Sequence, residues 1–514
     1  MLGRKEFLET RSRSFSTALT CIYYYPMQWL YSSRFAEIAI SLSTWIIVTI
    51  PLWLSPFHPA VVAYGIIAFD LFFLIQAMKN AIHTIVAYLK IHQAQKISFS
   101  ESIAKYDKAP HLKHFIVIPC YKESVSKISE TIRCIVSGDY PWPDNLHVVL
   151  GFEKRESEAP EKERELRELF GKQIDLYATY HELSPDEIPG KASNQTWAVK
   201  DIVQRVVEPK KYDPSHTLIT ICDADSKLPK NYLSYLSYTF LNDKERQYHF
   251  YWAPVLLYNN FWKLSFFVRM QASLSSIIRL ASLEDKENLI QISTYSTSLK
   301  LIQDVGYWDV DIIPEDWHVH LQAYFLYGIK VKTIPMYTMI NGDAVHAGSM
   351  ARTFVSRYEQ EKRWAWGVSD IAYAWSRLWN TPHIPFFPKL KKILYLSVNH
   401  LLWPTSFFIL TVFATVTPIM NPVFKRTVMG FILPQISGLI LTLGSSMLIV
   451  YTIIDILVRS KLDIKTKPQN IIILTLQWYV LPVVSLLLSA LPALDAHTRL
   501  LLGKKIVYKV TEKK

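Results

Sequence analysis

Half of the 514 residues are hydrophobic, yet 56 Lys and Arg outnumber 44 Asp and Glu, for a net charge of +12. That combination indicates a basic membrane protein with a large polar portion. The cations are scattered around apolar borders and form no single stripe, which argues against nucleic acid as a partner.

In chain order, Arg4, Lys5, Arg11 and Arg13 precede an apolar run that begins late and has no small-residue cleavage site. Ile38–Leu54 is therefore expected to stay as an anchor. Ala60–Met78 follows across the tight link Ser55-Pro56-Phe57-His58-Pro59, and Ile393–Met420, Thr427–Leu457 and Ile471–Leu494 complete five runs close to the ~20 apolar residues a bilayer requires. Arg11, Arg13 and Arg34 before the first run, with Lys79 and Lys90 after the second, orient the intervening domain toward the cytoplasm. Five simple crossings would place the basic tail from Thr498 outside; Pro482 and Pro492 offer a broken or re-entrant segment that would return it. Cys21, Cys120, Cys134 and Cys222 lack metal-ligand spacing and are expected to be reduced and structural.

Between the second and third runs the periodicity changes. "HFIVIP" (His114–Pro119), "LHVVLGF" (Leu146–Phe152), "IDLYATY" (Ile174–Tyr180) and "TLITIC" (Thr217–Cys222) have the short β-branched composition of buried parallel strands. Helical faces lie between them: Ile128, Ile132 and Ile135, then Leu166, Leu169 and Phe170, then Trp197, Ile202, Val203 and Val206. Strand alternating with helix predicts a doubly wound α/β sheet. The amphipathic stretch Phe261–Leu280 is expected to lie along the membrane surface.

Ligands of such sheets bind beyond the carboxyl ends of the strands. "TLITIC" runs there into Asp223 and Asp225, which point the same way if the chain stays extended. Two close carboxylates repel, and a divalent cation such as Mg²⁺ or Mn²⁺, completed by phosphate oxygens and water, reverses the sign. Solvated turn residues would look the same. Lys191 opens a helix in "PGKASNQTWA", where free N–H groups and an ammonium suit a diphosphate, or simply a solvated cap. Glu315 and Asp316 start the helix in "IIPEDWHVH"; adjacent helical residues diverge by about 100°, so only one is expected to face a reaction centre. "QEKRW" places Gln360, Arg363 and Trp364 on one helical face, suited to phosphate and sugar or to anchoring at a membrane interface.

"IPCYKES", "GKASN", "DADS", "PED" and "QEKRW" together resemble, in order, the motifs of membrane-embedded family 2 glycosyltransferases, the group of cellulose, chitin and hyaluronan synthases and ceramide glucosyltransferase. The resemblance implies a GT-A-type nucleotide-sugar-binding α/β domain over residues 111–350, inserted between membrane helices. Residues 38–79 would form two spans, 80–110 a linker or interfacial helix, 351–392 interfacial helices, 393–494 the C-terminal membrane region and 495–514 a basic tail, with 1–37 an N-terminal cytoplasmic or interfacial segment. It further implies that Pro119, Cys120, Tyr121 and Glu123 lie beside base and ribose, that Lys191 touches the nucleotide and Asp223 the nucleotide sugar, and that Asp225 binds the metal. Asp316 would be the catalytic base, and Gln360, Arg363 and Trp364 would hold the diphosphate and the acceptor.

Several positions depart from the family pattern. Pro314 replaces a Thr, Glu153 stands where an Asp commonly reads the base, and no F-x-V-T-x-K segment follows Trp364. His346 in "GDAVHAG" is a further candidate metal ligand beside Asp223 and Asp225, or a solvated loop residue. The activity implied is inverting transfer from a nucleotide sugar, a UDP-sugar in preference to a GDP-sugar, to a growing glycan or to a membrane lipid. A noncatalytic protein that kept the fold is the third reading, and the intact Asp223, Asp225, Asp316, Arg363 and Trp364 argue against it. Aromatic runs such as "FYWAPVLLYNNFW" could line a glycan path or serve as core and interface residues.

Overall fold

The computed structural model describes residues 33–464 and 466–506. The expectations for the early basic residues, for Cys21 and for residues 507–514 lie outside the described residues.

All four expected strands are present: β1 (Lys113–Cys120), β2 (Leu146–Glu153), β3 (Asp175–His181) and β4 (Thr217–Ile221). They pair in parallel, β3-β2-β1-β4, with helices covering both faces, so their side chains are apolar without alternation. Beyond β4 the sheet becomes mixed. β7 (Tyr295–Ser298) runs antiparallel between β4 and β5 (His249–Trp252), and β8 (Lys332–Pro335) closes the edge of the seven-stranded sheet. A two-stranded ribbon, β6 (Val255–Leu256) with β9 (Ile340–Asn341), sits beside it.

β7 escapes detection from sequence because "YSTS" carries no apolar run, although all four residues are buried. Its hydroxyls are satisfied across the sheet, with Ser296 Oγ 2.7 Å from Thr220 Oγ1 and 3.0 Å from the Tyr232 hydroxyl.

The helical faces need two corrections. Ile128, Ile132 and Ile135 are buried, but of the second face only Leu166 and Phe170, at i and i+4, reach the core, and Leu169 is exposed. In the third, Ala198, Val199 and Ile202 form the buried stripe, while Trp197 lies outside and rests beside the His181 ring. Trp252, Tyr251 and Tyr258 of the aromatic run are fully buried core residues.

Among the described residues, five helices are long and apolar enough to cross a membrane: Arg34–Trp53, Pro59–Ala94, Phe386–Met420, Val428–Lys461 and Gln469–Leu501. Ile75, Leu439, Ile449 and Ile472 are exposed on them, as contact with lipid requires. The second helix continues past Met78 without a break. At ~54 Å it is longer than the ~30 Å hydrocarbon core, and its last turns enter the domain, where Ala87 and Ile91 are buried and Lys90 pairs with Glu284 at 2.6 Å. In the last helix the expected interruption is a local loosening: a tight turn at Gln477–Val480 and a wide turn at Leu486–Ala490. The wide turn ends two residues before Pro492, which cannot donate to the carbonyl four residues back, so opening the ladder there avoids a clash.

The Phe266–Ser282 helix packs on the Pro59–Ala94 helix, and Gln271 Nε2 donates to Leu488 O in the last membrane helix at 2.8 Å. A second tie is ionic. Arg459 is clamped on Asp455 inside the protein, and the Tyr258 hydroxyl from the domain donates to the same carboxylate at 2.6 Å.

Candidate active site

Side chains from five chain segments meet beyond the carboxyl end of β4. Asp223 and Asp225 follow β4 in a turn closed by Ser226 N donating to Asp223 O at 2.9 Å. The chain is therefore not extended there, and the two carboxylates take different partners. Asp223 lies 2.7 Å from the Lys191 ammonium and accepts the Ser293 hydroxyl; Asp225 accepts the backbone N–H of Asp343 at 2.9 Å.

Lys191 is the first residue of its helix, and its ammonium also reaches Ser293 O at 2.9 Å and Glu315 at 3.4 Å. Burial would lower its pKa, but Asp223, Glu315 and Asp316 outweigh that and hold it well above the ordinary lysine value. Glu315 responds in the opposite sense. Burial pushes its carboxyl up to about 7, against the pull of Lys191 and with the repulsion of Asp316.

Both acids of "PED" thus reach the centre, which corrects the expectation that one would turn away. The cluster lies over the N-terminal end of the helix rather than along one side. Asp316 folds back so that Oδ1 accepts Trp317 N at 2.9 Å, while Oδ2 accepts Ser293 N at 2.8 Å. Ser293 is the knot of the site: its N–H holds Asp316, its hydroxyl Asp223 and its carbonyl Lys191. It adopts φ 65°, a left-handed conformation costly for a non-glycine residue. Nothing in "QIST" announces that role.

Sequence reading also passed over Asp343. The β6–β9 ribbon delivers it beside Asp225, and Lys127 Nζ pairs with its carboxylate at 2.7 Å. His346 is three residues further along the same loop. Among the described residues no three His, Cys, Asp or Glu side chains gather as a metal cage, so His346 does not join Asp223 and Asp225 in one ready-made set. The carboxylate oxygens of Asp223 and Asp225 fit a hard cation that keeps water and substrate oxygens as further ligands.

On the β1–β2 side, Tyr121 N donates to Glu123 at 2.5 Å, and the Arg155 guanidinium lies 4.5 Å from the centre of the Tyr121 ring. Pro119 is half-buried at the end of β1, whereas the Cys120 thiol is buried and its pKa raised by that burial, leaving mainly backbone to offer a ligand. Glu153 is held inside by His181 Nδ1 at 3.0 Å, Asn194 Nδ2 at 2.9 Å and Arg155 at 3.2 Å. Burial would raise its pKa, but the bonds from His181 and Asn194 outweigh it and lower the value. The extra methylene thus takes the carboxylate into a structural network.

"QEKRW" ends the Met350–Ala365 helix. Gln360 accepts from Arg357, which also clamps Glu361 and donates Nε to Gln271 at 2.7 Å. Trp364 has two guanidinium groups over its ring, Arg357 at 4.6 Å and Arg279 at 5.4 Å from the centroid. Arg363 is half-buried on the adjacent face. Lys362 pairs with Asp495 at 3.2 Å, fixing this helix to the last membrane helix.

Residues 218–455 match the family model for glycosyl transferase family group 2. No curated protein matches the chain by sequence. Among solved structures, it is similar to the mannosyltransferase PcManGT from Pyrobaculum calidifontis in complex with GDP-Man and Mn²⁺, at 15% identity and TM-score 0.40, over 73% of this chain and 98% of that one. It is also similar to residues 1–349 of S. aureus TarS, at 13% identity and TM-score 0.35, over 65% and 91%, and to GalNAc-T7 with UDP, GalNAc and Mn²⁺, at 11% and 0.34, over 58% and 60%. The matched segment, a family 2 glycosyltransferase region, holds Asp223, Asp225, Glu315, Asp316 and "QEKRW", while "IPCYKES" and "GKASN" precede it.

Proposed function

We propose that this protein transfers a sugar, with inversion, from a nucleoside-diphosphate sugar to a hydroxyl acceptor at the membrane face. The observation that carries this reading is the joint anchoring of Asp223, Lys191 and Asp316 on Ser293. Asp316 takes the proton from the acceptor hydroxyl as its oxygen attacks the anomeric carbon. Trp317 N and Ser293 N bind that carboxylate and aim it. Asp223 orients the donor sugar, and Lys191 and Arg363 offset the charge that grows on the leaving diphosphate. Gln360 and Trp364 position the acceptor, and the β1 end from Pro119 to Glu123, with Glu153 behind it, faces the nucleotide.

Asp225, with Asp223 beside it, would hold Mg²⁺ or Mn²⁺, which when bound supplies Lewis-acid stabilisation of phosphate oxygens. His346 is the further candidate ligand. A UDP-sugar is the preferred donor, and the cations flanking the membrane runs support a cytoplasmic catalytic domain.

Two acceptors suit the helix of "QEKRW", which is fixed to the last membrane helix through Lys362 and Asp495. A growing glycan leaving between helices and a lipid headgroup at the interface both arrive there. Nucleoside diphosphate release by the detergent-purified chain over a panel of UDP- and GDP-sugars with Mn²⁺ tests the reading. Release with one donor, abolished in Asp316→Asn, supports it; sizing the product then separates polymer from glycolipid. Transfer that survives Asp316→Asn would remove the proposed base.

A further inference from the structure

Arg279 stands outside every motif of the sequence, yet it projects into the reaction centre from the Phe266–Ser282 helix. Its Nη1 donates to Val255 O at 2.7 Å, which tethers it to the ribbon that also delivers Asp343 to Asp225. The guanidinium lies over the Trp364 ring, 5.4 Å from its centroid, on the side chain that ends "QEKRW". Among the described residues no carboxylate closes an ion pair on it. Its neighbour Arg357 shows what a satisfied guanidinium looks like here, being clamped by Glu361, Gln360 and Gln271.

A half-buried cation without a counter-ion is costly unless an anion arrives during function. The charge surroundings agree. Burial and the like charge of Arg357 push the Arg279 pKa down to about 10, while Glu361, Asp223 and Asp316 pull the other way. The carboxylates of the reaction centre are thus near enough to act on it, but none is bonded to it. A planar fork held by one carbonyl and supported on an indole face retains donors for two phosphate oxygens.

We propose that Arg279 binds the diphosphate of the donor and stabilises it as it leaves, a role beyond the five motifs. This rests on the glycosyl-transfer reading above. In that step the bond between the anomeric carbon and the β-phosphate oxygen breaks, the electron pair leaves with that oxygen, and the acceptor oxygen bonds to carbon while its proton passes to Asp316. Arg279 meets the negative charge on the departing phosphate.

The test is the affinity of the full-length detergent-purified chain, with Mn²⁺, for UDP, GDP and the corresponding monophosphates. Arg279→Gln keeps an N–H for Val255 O while removing the charge; Arg279→Lys keeps the charge without the fork. For the diphosphate that binds wild type, Arg279→Gln should weaken affinity roughly ten- to a hundredfold and the monophosphate far less, with Arg279→Lys between. Unfolding temperatures matching wild type guard against a structural cause. Unchanged diphosphate affinity overturns the inference, as does an equal loss for mono- and diphosphate. Loss confined to transfer onto a phosphate-bearing lipid, with nucleotide affinity intact, would move Arg279 to the acceptor and overturn it too. If wild type neither binds a nucleoside diphosphate nor turns over any sugar donor, the function proposed above falls and this inference falls with it.

Discussion

The Lys191 ammonium lies 2.7 Å from Asp223 Oδ1 and carries a second acid, Glu315, at 3.4 Å. One cation holds together carboxylates from two separate chain segments, with Asp316 adding its field. Lys191→Met should leave these acids uncompensated in a half-dry site and destabilise the domain by about 3–5 kcal/mol. Lys191→Arg should recover most of that. Thermal unfolding of the two variants is the check, and equal melting of Lys191→Met and wild type would show that the pair holds nothing.

Glu315 gives a pH signature. Its carboxyl is raised from 4.5 to about 7, chiefly by burial, so the folded state holds a proton there that the unfolded state releases earlier. Its favourable contribution is complete below about 4.5 and is lost as pH rises through about 7, by up to about 3 kcal/mol. Glu315→Gln should lack that slope. The difference in denaturant midpoint between wild type and Glu315→Gln, followed from pH 4 to 8, measures it directly; a constant difference would contradict the assignment.

Three residues along the same helix, the His318 ring is gripped by Asp370 at 2.9 Å and Asp309 at 2.8 Å. Burial would lower its pKa, but the two acids overcome it and raise the value to about 10. Here the linkage concerns a base: its stabilisation is fully present below about pH 6.5 and fades as pH rises through about 10. His318→Ala strands the buried Asp370 and should cost about 3–5 kcal/mol. Since Asp370 belongs to the helix after "QEKRW" and His318 follows Asp316, the variant should also slow transfer more than it weakens donor binding. A melting shift without any change in kcat would restrict His318 to a structural role.

Asp225 should govern the metal. Asp225→Ala is expected to abolish stimulation by Mn²⁺ and lower turnover by about 10²-fold or more, on the scale of losing one preorganised electrostatic group. Titrating Mn²⁺ against donor turnover in wild type and variant decides it, and an unchanged activation curve would place the ion elsewhere.

The apolar periodicity was sufficient to find five membrane-length runs and to place four strands to within a residue or two, because a span needs length and a buried parallel strand needs β-branched residues on both faces, but it missed where the second helix runs on from Met78 to Ala94. Polar β7 stayed hidden since its central hydroxyls, those of Ser296 and Thr297, are satisfied by partners distant in the chain. Leu169 and Trp197 show the limit of periodicity from the other side: both are apolar and in helical register, yet a helix has only one face to bury.

Local chemistry alone determined that this chain carries acids and a lysine at strand and helix ends, in the order of a glycosyltransferase, between apolar runs that seek lipid. Which groups meet was decided by the tertiary structure. Ser293 binding three site residues, Glu315 sharing Lys191 with Asp223, Asp343 beside Asp225 and Arg279 over Trp364 all join segments far apart in sequence. Hydrogen bonds and ion pairs act over a few ångströms of space, and only the folded sheet and its membrane-anchored helices turn separations of tens of residues into such distances.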